Sequence, residues 1–165
     1  MKYLNVQLLG LSGRPHPALE NVSTTQDCKK LRLHLKFLTG DYLTNERISR
    51  DRQNFSSACY LCLDPTESIE HVLSTCKATA EVRRRLYPDL VNAVAKAQPN
   101  CSILRCHPST HILTQFILDC TSVNLPDSVP VPAHNPLKYL IFRISRDWCF
   151  AISNERSRLI NLIRN

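Results

Sequence analysis

Apolar residues recur at helical spacing in the first half of the chain. In residues 26–39, Leu31, Leu35 and Leu38 lie at positions i, i+4 and i+7, which places them on one face of a helix. Gly40 follows where a helix C-terminus favours a left-handed residue. Lys29, Lys30, Arg32 and Lys36 lie at other positions of the same stretch. This stretch therefore predicts an amphipathic, basic helix.

Helical patterns continue toward the C-terminus. Residues 78–97 predict a helix with a break or restart at Pro88, and residues 109–122 predict another. Residues 137–165 form the longest helix candidate. Its apolar stripe comprises Leu140, Ile144, Trp148, Ile152, Leu159 and Ile163. Evidence for strands is thin and limited to residues 3–9, so the chain is predicted to be mainly α.

These patterns divide the chain into five segments. Residues 1–25 are an N-terminal extension, and residues 26–100 hold the basic helix, a cysteine-rich stretch and the helices that follow it. Residues 101–125 contain one helix. Residues 126–136 are a linker, because four prolines there leave no room for regular structure. Residues 137–165 form a C-terminal amphipathic helix.

Three cysteines and one histidine fall within 18 residues of one another, which is a dense set of metal-binding side chains. Their spacing is Cys59-x2-Cys62-x8-His71-x4-Cys76. Zinc takes four soft or borderline ligands in a tetrahedron, and a short segment supplies them in two pairs. The alternative is that the cysteines are packing residues and the histidine is a surface residue, which the paired spacing disfavours. We predict a Cys3His zinc module embedded in a small helical domain. With four protein ligands it would be structural and not catalytic.

The residues between the two ligand pairs predict a helix start. Asp64 is suited to cap it, Pro65 fits the first turn, and Glu67 completes a capping-box pattern. A helix that begins there places His71 two turns in and Cys76 near its end.

The remaining cysteines allow other interpretations. A second ligand set could comprise Cys101, Cys106, His107 and His111, but Pro108 makes that geometry awkward. Buried thiols with loop histidines are the preferred interpretation. Cys28, Cys120 and Cys149 fall on apolar helix faces and are predicted to be core residues.

The formal charge of +7 favours polyanionic partners such as RNA or DNA. Residues 59–100 carry as many acidic as basic side chains, so the excess lies on the flanks of that region. The candidate nucleic-acid-binding residues are Arg47, Arg50 and Arg52 before the cysteine motif, and Arg83, Arg84 and Arg85 after it. The alternative is that these arginines form solvated helix faces paired with Glu81 or Asp89.

Motifs for catalysis are missing from the sequence. It contains no G-x-S-x-G, P-loop or G-x-G-x-x-G motif, and neither Asp-Asp nor Asp-x-Asp. We therefore expect no enzymatic activity. No apolar run approaches the ~20 residues that cross a bilayer, and the N-terminus is too weak for a signal peptide. We expect an intracellular protein, nuclear or cytoplasmic, with reduced cysteines and no membrane partner.

The stretches "LHLKFLTGDYLTNERISR" and "ESIEHVLSTC", with the paired cysteines between them, resemble a known family. They are similar to the zinc-binding region that follows the polymerase of non-LTR retrotransposon reverse transcriptases. The resemblance covers about residues 28–85, and "SRDWCFAISNERSRL" extends it over about residues 136–160. Among functional residues, only Cys59, Cys62, His71 and Cys76 match the family motif.

The resemblance implies an accessory role in handling template RNA or target DNA, in association with a reverse transcriptase polymerase domain. The parent family is an RNA-directed DNA polymerase, whose polymerase and endonuclease motifs this chain lacks. It would then be a fragment, a degenerate copy or a host-captured piece of such an element. The competing interpretation is a zinc-stabilised structural or protein-interaction domain, or a non-functional relic.

Overall fold

Helices make up most of the chain that the computed structural model describes, which comprises residues 19, 22–97, 104, 108–120 and 136–165. The α-helices are α1 (Thr25–Thr39), α2 (Asn45–Asp51), α3 (Ala80–Ala97), α4 (Thr110–Asp119) and α5 (Pro136–Arg164). A π-helical turn, His71–Thr75, and a 3₁₀ turn, Lys77–Thr79, lie between α2 and α3. These ranges contain no strand. The predicted mainly α fold with a long C-terminal helix is confirmed. Residues 3–9 and most of the 126–136 linker fall outside the described residues.

Helix α1 begins and ends at residues suited to those positions. The Thr24 hydroxyl accepts a hydrogen bond from the Asp27 N–H at 3.0 Å, and the Asp27 carboxylate accepts one from the Thr24 N–H at 3.1 Å. This is a complete capping box. At the other end Gly40 has φ 82°, a left-handed conformation that is unstrained in glycine. The predicted C-terminus at Gly40 is confirmed.

The buried face of α1 differs from the predicted leucine stripe. His34, Phe37 and Leu38 are buried, whereas Leu31 and Leu35 are half-buried. The His34 Nε2–H donates to the Leu118 carbonyl at 2.9 Å, which holds this face of α1 against the end of α4. A histidine that points into the core therefore rotates the buried face away from the position that the leucine spacing predicts.

Helix α5 is the element against which α1, α3 and α4 pack. Trp148 and Ile152, both on the predicted stripe, are completely buried, and so is Cys149. The prediction is wrong for Ile163, which is 64 % exposed, because the last turns of α5 extend beyond the core.

Helix α3 continues through a proline, and helix α4 begins at a serine cap. The predicted break at Pro88 is wrong, because α3 continues through this residue. Proline removes the N–H that would bond the carbonyl four residues earlier, but Arg84, which carries that carbonyl, is exposed like Pro88, so water can satisfy it. Helix α4 is capped by Ser109, whose hydroxyl accepts from the Ile112 N–H at 3.3 Å.

Candidate metal centre

The structure brings the four predicted ligands together. One donor atom from each of Cys59, Cys62, His71 and Cys76 lies within 4.8 Å of the others. The Cys59 and Cys76 sulfurs are 3.9 Å apart, and the Cys62 and Cys76 sulfurs are 3.8 Å apart. His71 Nε2 is 3.3 Å from the Cys62 sulfur.

These distances fit a tetrahedral metal site. Zn–S bonds near 2.3 Å and Zn–N bonds near 2.05 Å at the tetrahedral angle require S···S separations of about 3.8 Å and S···N separations of about 3.6 Å. Disulfides need a sulfur–sulfur distance near 2.05 Å, so the thiols are not paired covalently. The cluster is the one group in the described ranges whose side chains are placed to hold a metal ion.

The orientation of the His71 ring is fixed by the contacts of Nδ1, the ring nitrogen that faces away from the cysteines. Its Nδ1 lies 3.4 Å from the Thr75 hydroxyl and 3.7 Å from an Asp64 carboxylate oxygen. Metal-bound histidines commonly donate their second N–H to such a group, which sets the tautomer and ring orientation. His71 thus presents Nε2 to the ligand cluster.

Backbone N–H groups surround the sulfurs. Those of Leu61 and Cys62 point to the Cys59 sulfur, those of Asp64 and Lys77 to the Cys62 sulfur, and that of Ala78 to the Cys76 sulfur. Donors that converge on a sulfur stabilise the thiolate, which is the metal-binding form.

Burial acts against these donors in the metal-free protein. It raises the pKa of the Cys59 and Cys76 thiols, because an isolated thiolate is poorly solvated there. Burial also tends to raise the pKa of Cys62, but the hydrogen bonds to its sulfur outweigh that effect and lower it. Desolvation lowers the pKa of His71, which keeps the imidazole neutral and able to bind a metal. Metal binding would therefore release protons from Cys59 and Cys76, whose raised pKa values keep their thiols protonated at neutral pH.

The second ligand pair is placed by a shorter helix than the sequence predicts. Asp64 does not cap it; its carboxylate accepts from the Thr66 N–H at 3.2 Å in a local turn. The cap is Ser68, whose hydroxyl accepts from the His71 N–H at 3.0 Å. The Cys76 N–H then donates to the His71 carbonyl at 2.8 Å, five residues back, which closes a π turn. One widened turn thus carries both ligands.

Glu67 does not complete a capping box, contrary to prediction, and instead forms an ion pair in which the carboxylate is buried. Its side chain is 1 % exposed, and its two oxygens accept from Arg156 of α5 at 3.0 and 2.7 Å. The Asn45 N–H donates to the same carboxylate at 2.8 Å. Arg156 lies 89 residues away in sequence, so no local pattern indicates this contact.

Two further hydrogen bonds fasten the π turn to the helical core. The buried Trp148 indole N–H donates to the Leu73 carbonyl at 3.1 Å. The Ser74 and Thr114 hydroxyls lie 2.8 Å apart, which links the turn to α4. The second ligand pair is therefore positioned by the core as well as by its own turn.

Three of the six candidate arginines are engaged within the protein. Arg47 donates to the Gly40 carbonyl and to Asp41, and Arg84 forms an exposed ion pair with Glu81. Arg83 donates to the Thr79 hydroxyl at 2.8 Å and to the Cys76 carbonyl at 2.5 Å. Arg83 thus braces the backbone of a ligand residue, a role that its sequence position did not indicate.

The other three arginines, Arg50, Arg52 and Arg85, are exposed. Arg50 lies in the last turn of α2, Arg52 lies in the turn that leads into the cysteine motif, and Arg85 lies on α3. Arg84 is exposed as well, but its guanidinium is paired with Glu81.

The remaining cysteines fall into three classes. Cys149 is buried, as predicted. Cys28 is exposed, so its predicted core position is wrong, and Cys120 is half-buried. Of the second ligand set, Cys101, Cys106 and His107 lie outside the described residues, and His111 lies 3.4 Å from Glu70 on the surface of α4.

No protein-family model, curated protein or solved structure matches this chain. The resemblance to retrotransposon reverse transcriptases therefore stays a prediction. Within the described residues, none of the helices combines the length and the apolar character needed to cross a bilayer.

Proposed function

We propose that the Cys3His cluster binds one Zn²⁺ ion that holds the loop of residues 52–66 against the helical core. The observation that supports this proposal is the convergence of four donors at tetrahedral spacing, with separations of 3.9, 3.8 and 3.3 Å. Three thiolates and one imidazole suit zinc better than hard cations such as magnesium or calcium. The metal would be structural, since four protein ligands leave no position for water.

We also propose that the zinc module belongs to a non-catalytic nucleic-acid-binding protein. The net charge of +7 and the exposed Arg50, Arg52 and Arg85 support this proposal, because guanidinium groups bind phosphates well. Arg47, Arg83 and Arg84 would contribute less, since the protein already occupies their donors. The sequence resemblance to the region that follows a retrotransposon polymerase points the same way. The ligand would be template RNA or target DNA.

Salt dependence of binding tests this proposal. Fluorescence anisotropy with a labelled 20-nucleotide strand, at two or more salt concentrations, gives the slope of log affinity against log salt. Replacing Arg50, Arg52 and Arg85 with alanine should reduce the slope by about two on a single strand, near 0.7 for each phosphate that the variant no longer neutralises. The matched control replaces Lys29, Arg32 and Lys36, three exposed cations of α1.

The outcome for the control decides between contact and simple net charge. If both triple variants weaken binding equally, Arg50, Arg52 and Arg85 do not form a specific nucleic-acid-binding site, and the affinity depends on net charge alone. If the wild-type protein does not bind at physiological salt, the nucleic-acid proposal fails.

The alternative is a zinc-stabilised structural or protein-interaction domain, or a relic of a retroelement. The observation that favours it is that half of the candidate arginines make contacts within the protein. A zinc-loaded protein without nucleic-acid affinity would support this alternative. A polymerase encoded in frame upstream in the genome would support derivation from a reverse transcriptase.

The absence of catalysis is tested separately. We expect the purified chain to show no primer extension or nuclease activity. An activity that co-purifies and disappears on mutation of a carboxylate would contradict this expectation.

A further inference from the structure

Residues 52–66 form the loop that carries Cys59 and Cys62, here called the metal loop. Two large apolar side chains at its tip face solvent. Tyr60 lies between Cys59 and Cys62 and is 47 % exposed, and Leu63 follows Cys62 and is 83 % exposed. The Phe55 ring meets the Tyr60 ring edge-on, with centroids 6.1 Å apart. Such contacts hold an aromatic ring in a defined position. The loop therefore presents a positioned aromatic ring and an aliphatic side chain around the ligand pair.

Leu63 adopts a conformation that disfavours leucine. Its φ is 62°, and it is the one non-glycine residue with positive φ among the described residues. Glycine adopts this conformation freely, whereas other L-residues are strained by roughly 1–2 kcal/mol. Leu63 gains almost no burial that could offset the strain. The Leu63 N–H donates to the Cys59 carbonyl at 2.9 Å, so the positive φ closes the turn between the two ligand cysteines and leaves the side chain in solvent, where it can contact a ligand.

Cations adjoin the exposed tip from both sides. The Phe55 N–H donates to the Arg52 carbonyl at 3.0 Å, so exposed Arg52 begins the turn that carries this ring. On the other side Lys77, also exposed, donates its backbone N–H to the Cys62 sulfur. Exposed Asp51 and Asp64 lie in the same stretch, so the cations do not give the tip an excess of positive charge. The exposed aromatic and aliphatic surface of the tip suits a ligand with accessible ring faces, and Arg52 and Lys77 can each pair with a phosphate beside it.

We infer that the tip formed by Phe55, Tyr60 and Leu63 binds the unpaired bases of single-stranded nucleic acid. A base would stack on the Tyr60 ring and contact Leu63, while neighbouring phosphates would pair with Arg52 and Lys77. In a duplex the base faces are stacked on one another and unavailable, so this surface selects single strands. The inference rests on the proposed nucleic-acid-binding function and adds the form of the ligand.

The test compares 12-nucleotide uridine and thymidine strands with a 12-base-pair duplex, using the zinc-loaded chain of residues 1–165. Tyr60→Ala should weaken binding to the strands about tenfold, because stacking contributes roughly 5- to 150-fold per base. The salt slope should not change, since no charge is removed. Tyr60→Phe should restore the affinity, and duplex affinity should be the same in all three proteins. The matched control is Leu43→Ala, at a residue that is 63 % exposed outside the loop.

Each outcome separates this inference from the function on which it rests. If wild type binds neither strands nor duplex, both fail, and the apolar tip is then a protein-contact surface. If wild type binds strands and duplex alike and Tyr60→Ala changes nothing, the inference fails while the nucleic-acid function stands. Zinc content is measured for every variant. If Tyr60→Ala loses zinc, Leu63→Gly decides, because it removes a contact side chain without adding backbone strain.

Discussion

The metal loop and the helical core are held together by different forces. The core buries large side chains completely, among them Phe37, Trp148 and Ile152. In residues 52–66, Cys59 is the one buried residue. Apolar burial contributes about 25 cal/mol per Å², so the loop gains little from it and must depend on its ligands and hydrogen bonds. A metal bound by the four ligands would therefore stabilise the part of the chain that buries the least apolar surface.

Residues 67–76 connect the two regions. Glu67 bonds Arg156, and the Leu73 carbonyl accepts from Trp148, so this stretch is fastened to α5 at two points. It also carries His71 and Cys76. The core thus fixes one ligand pair directly through α5. The loop that carries Cys59 and Cys62 is tied instead to Asn45, whose side-chain amide donates to the Ala58 carbonyl at 2.5 Å, and to the Glu67 N–H, which donates to the Ser57 carbonyl at 2.7 Å.

Metal removal should have the largest effect on stability, and it should act unevenly on the two regions. Structural zinc contributes roughly 10 kcal/mol or more in small zinc folds, where folding and binding are one process. We expect chelation to abolish hydrogen-exchange protection in residues 52–66 and to leave α1, α3 and α5 protected. Residues 67–75 should lose less hydrogen-exchange protection, because their contacts with α5 and α4 do not depend on the metal.

The variant Cys76→Ser should reproduce chelation, and Cys28→Ser, at an exposed thiol of α1, should leave the metal content at one zinc per chain. Mass spectrometry under native conditions measures the stoichiometry. Uniform loss of protection across all helices would show that the two regions do not differ as described.

Glu67→Gln should give the next largest loss. It leaves the largely buried Arg156 guanidinium without its counter-charge, and since removal of one partner from a fully buried pair costs about 3–5 kcal/mol, we expect a loss of about 3 kcal/mol. The matched control is Glu155→Gln on the same helix as Arg156, which breaks the surface pair with Arg158 and should cost under about 1 kcal/mol. Urea unfolding at constant zinc measures both. Equal costs would contradict the anchoring role of Glu67.

How far the sequence predicts this molecule depends on whether the signal is local. The ligand set follows from the spacing of Cys59, Cys62, His71 and Cys76, and the end of α1 follows from Gly40, because each depends on neighbouring residues. The roles of Glu67 and Arg83 do not follow. Glu67 pairs with Arg156, which lies 89 residues away in sequence. The local sequence around Glu67 matches a capping-box pattern equally well.

The apolar stripes of α1 and α5 predict burial less accurately, for a related reason. Helical spacing shows which residues share a face, but the neighbouring helices decide which face is buried. On α1 the contact of His34 with the Leu118 carbonyl turns that face, and on α5 the core ends before Ile163. The periodicity of a single helix shows neither which of its faces is buried nor where along its length the core ends.

His34 gives the core a pH dependence of its own. Burial lowers the pKa of His34 from 6.5 to about 4, because the charged ring would be desolvated. The unfolded chain therefore binds a proton that the folded protein does not. Stability should be full above about pH 6.5 and fall as the pH drops toward 4, by about 2 kcal/mol at pH 5.

The variant His34→Gln keeps a donor for the Leu118 carbonyl but does not titrate, so it is the matched control. Comparing unfolding free energies of the two proteins between pH 7.5 and 5 cancels the contribution of the metal loop, which both share. Identical pH dependence in the two proteins would contradict the assignment to His34.

Leu63→Gly should give the smallest effect, and it should be stabilising. At φ 62° glycine avoids the steric strain of a leucine side chain, and since Leu63 is 83 % exposed its loss removes little burial. We expect about 1 kcal/mol, partly offset by the greater entropy of glycine in the unfolded chain. Because loop order and metal binding are coupled, competition with a chelator should show zinc affinity raised by a few-fold. The control Leu43→Gly, at an exposed residue without positive φ, should destabilise, since it adds only the entropic cost. If Leu63→Gly destabilises as Leu43→Gly does, Leu63 stabilises the loop by contacts of its own. If it stabilises the loop while weakening single-strand binding, leucine at this position is retained for contact and at a cost in stability.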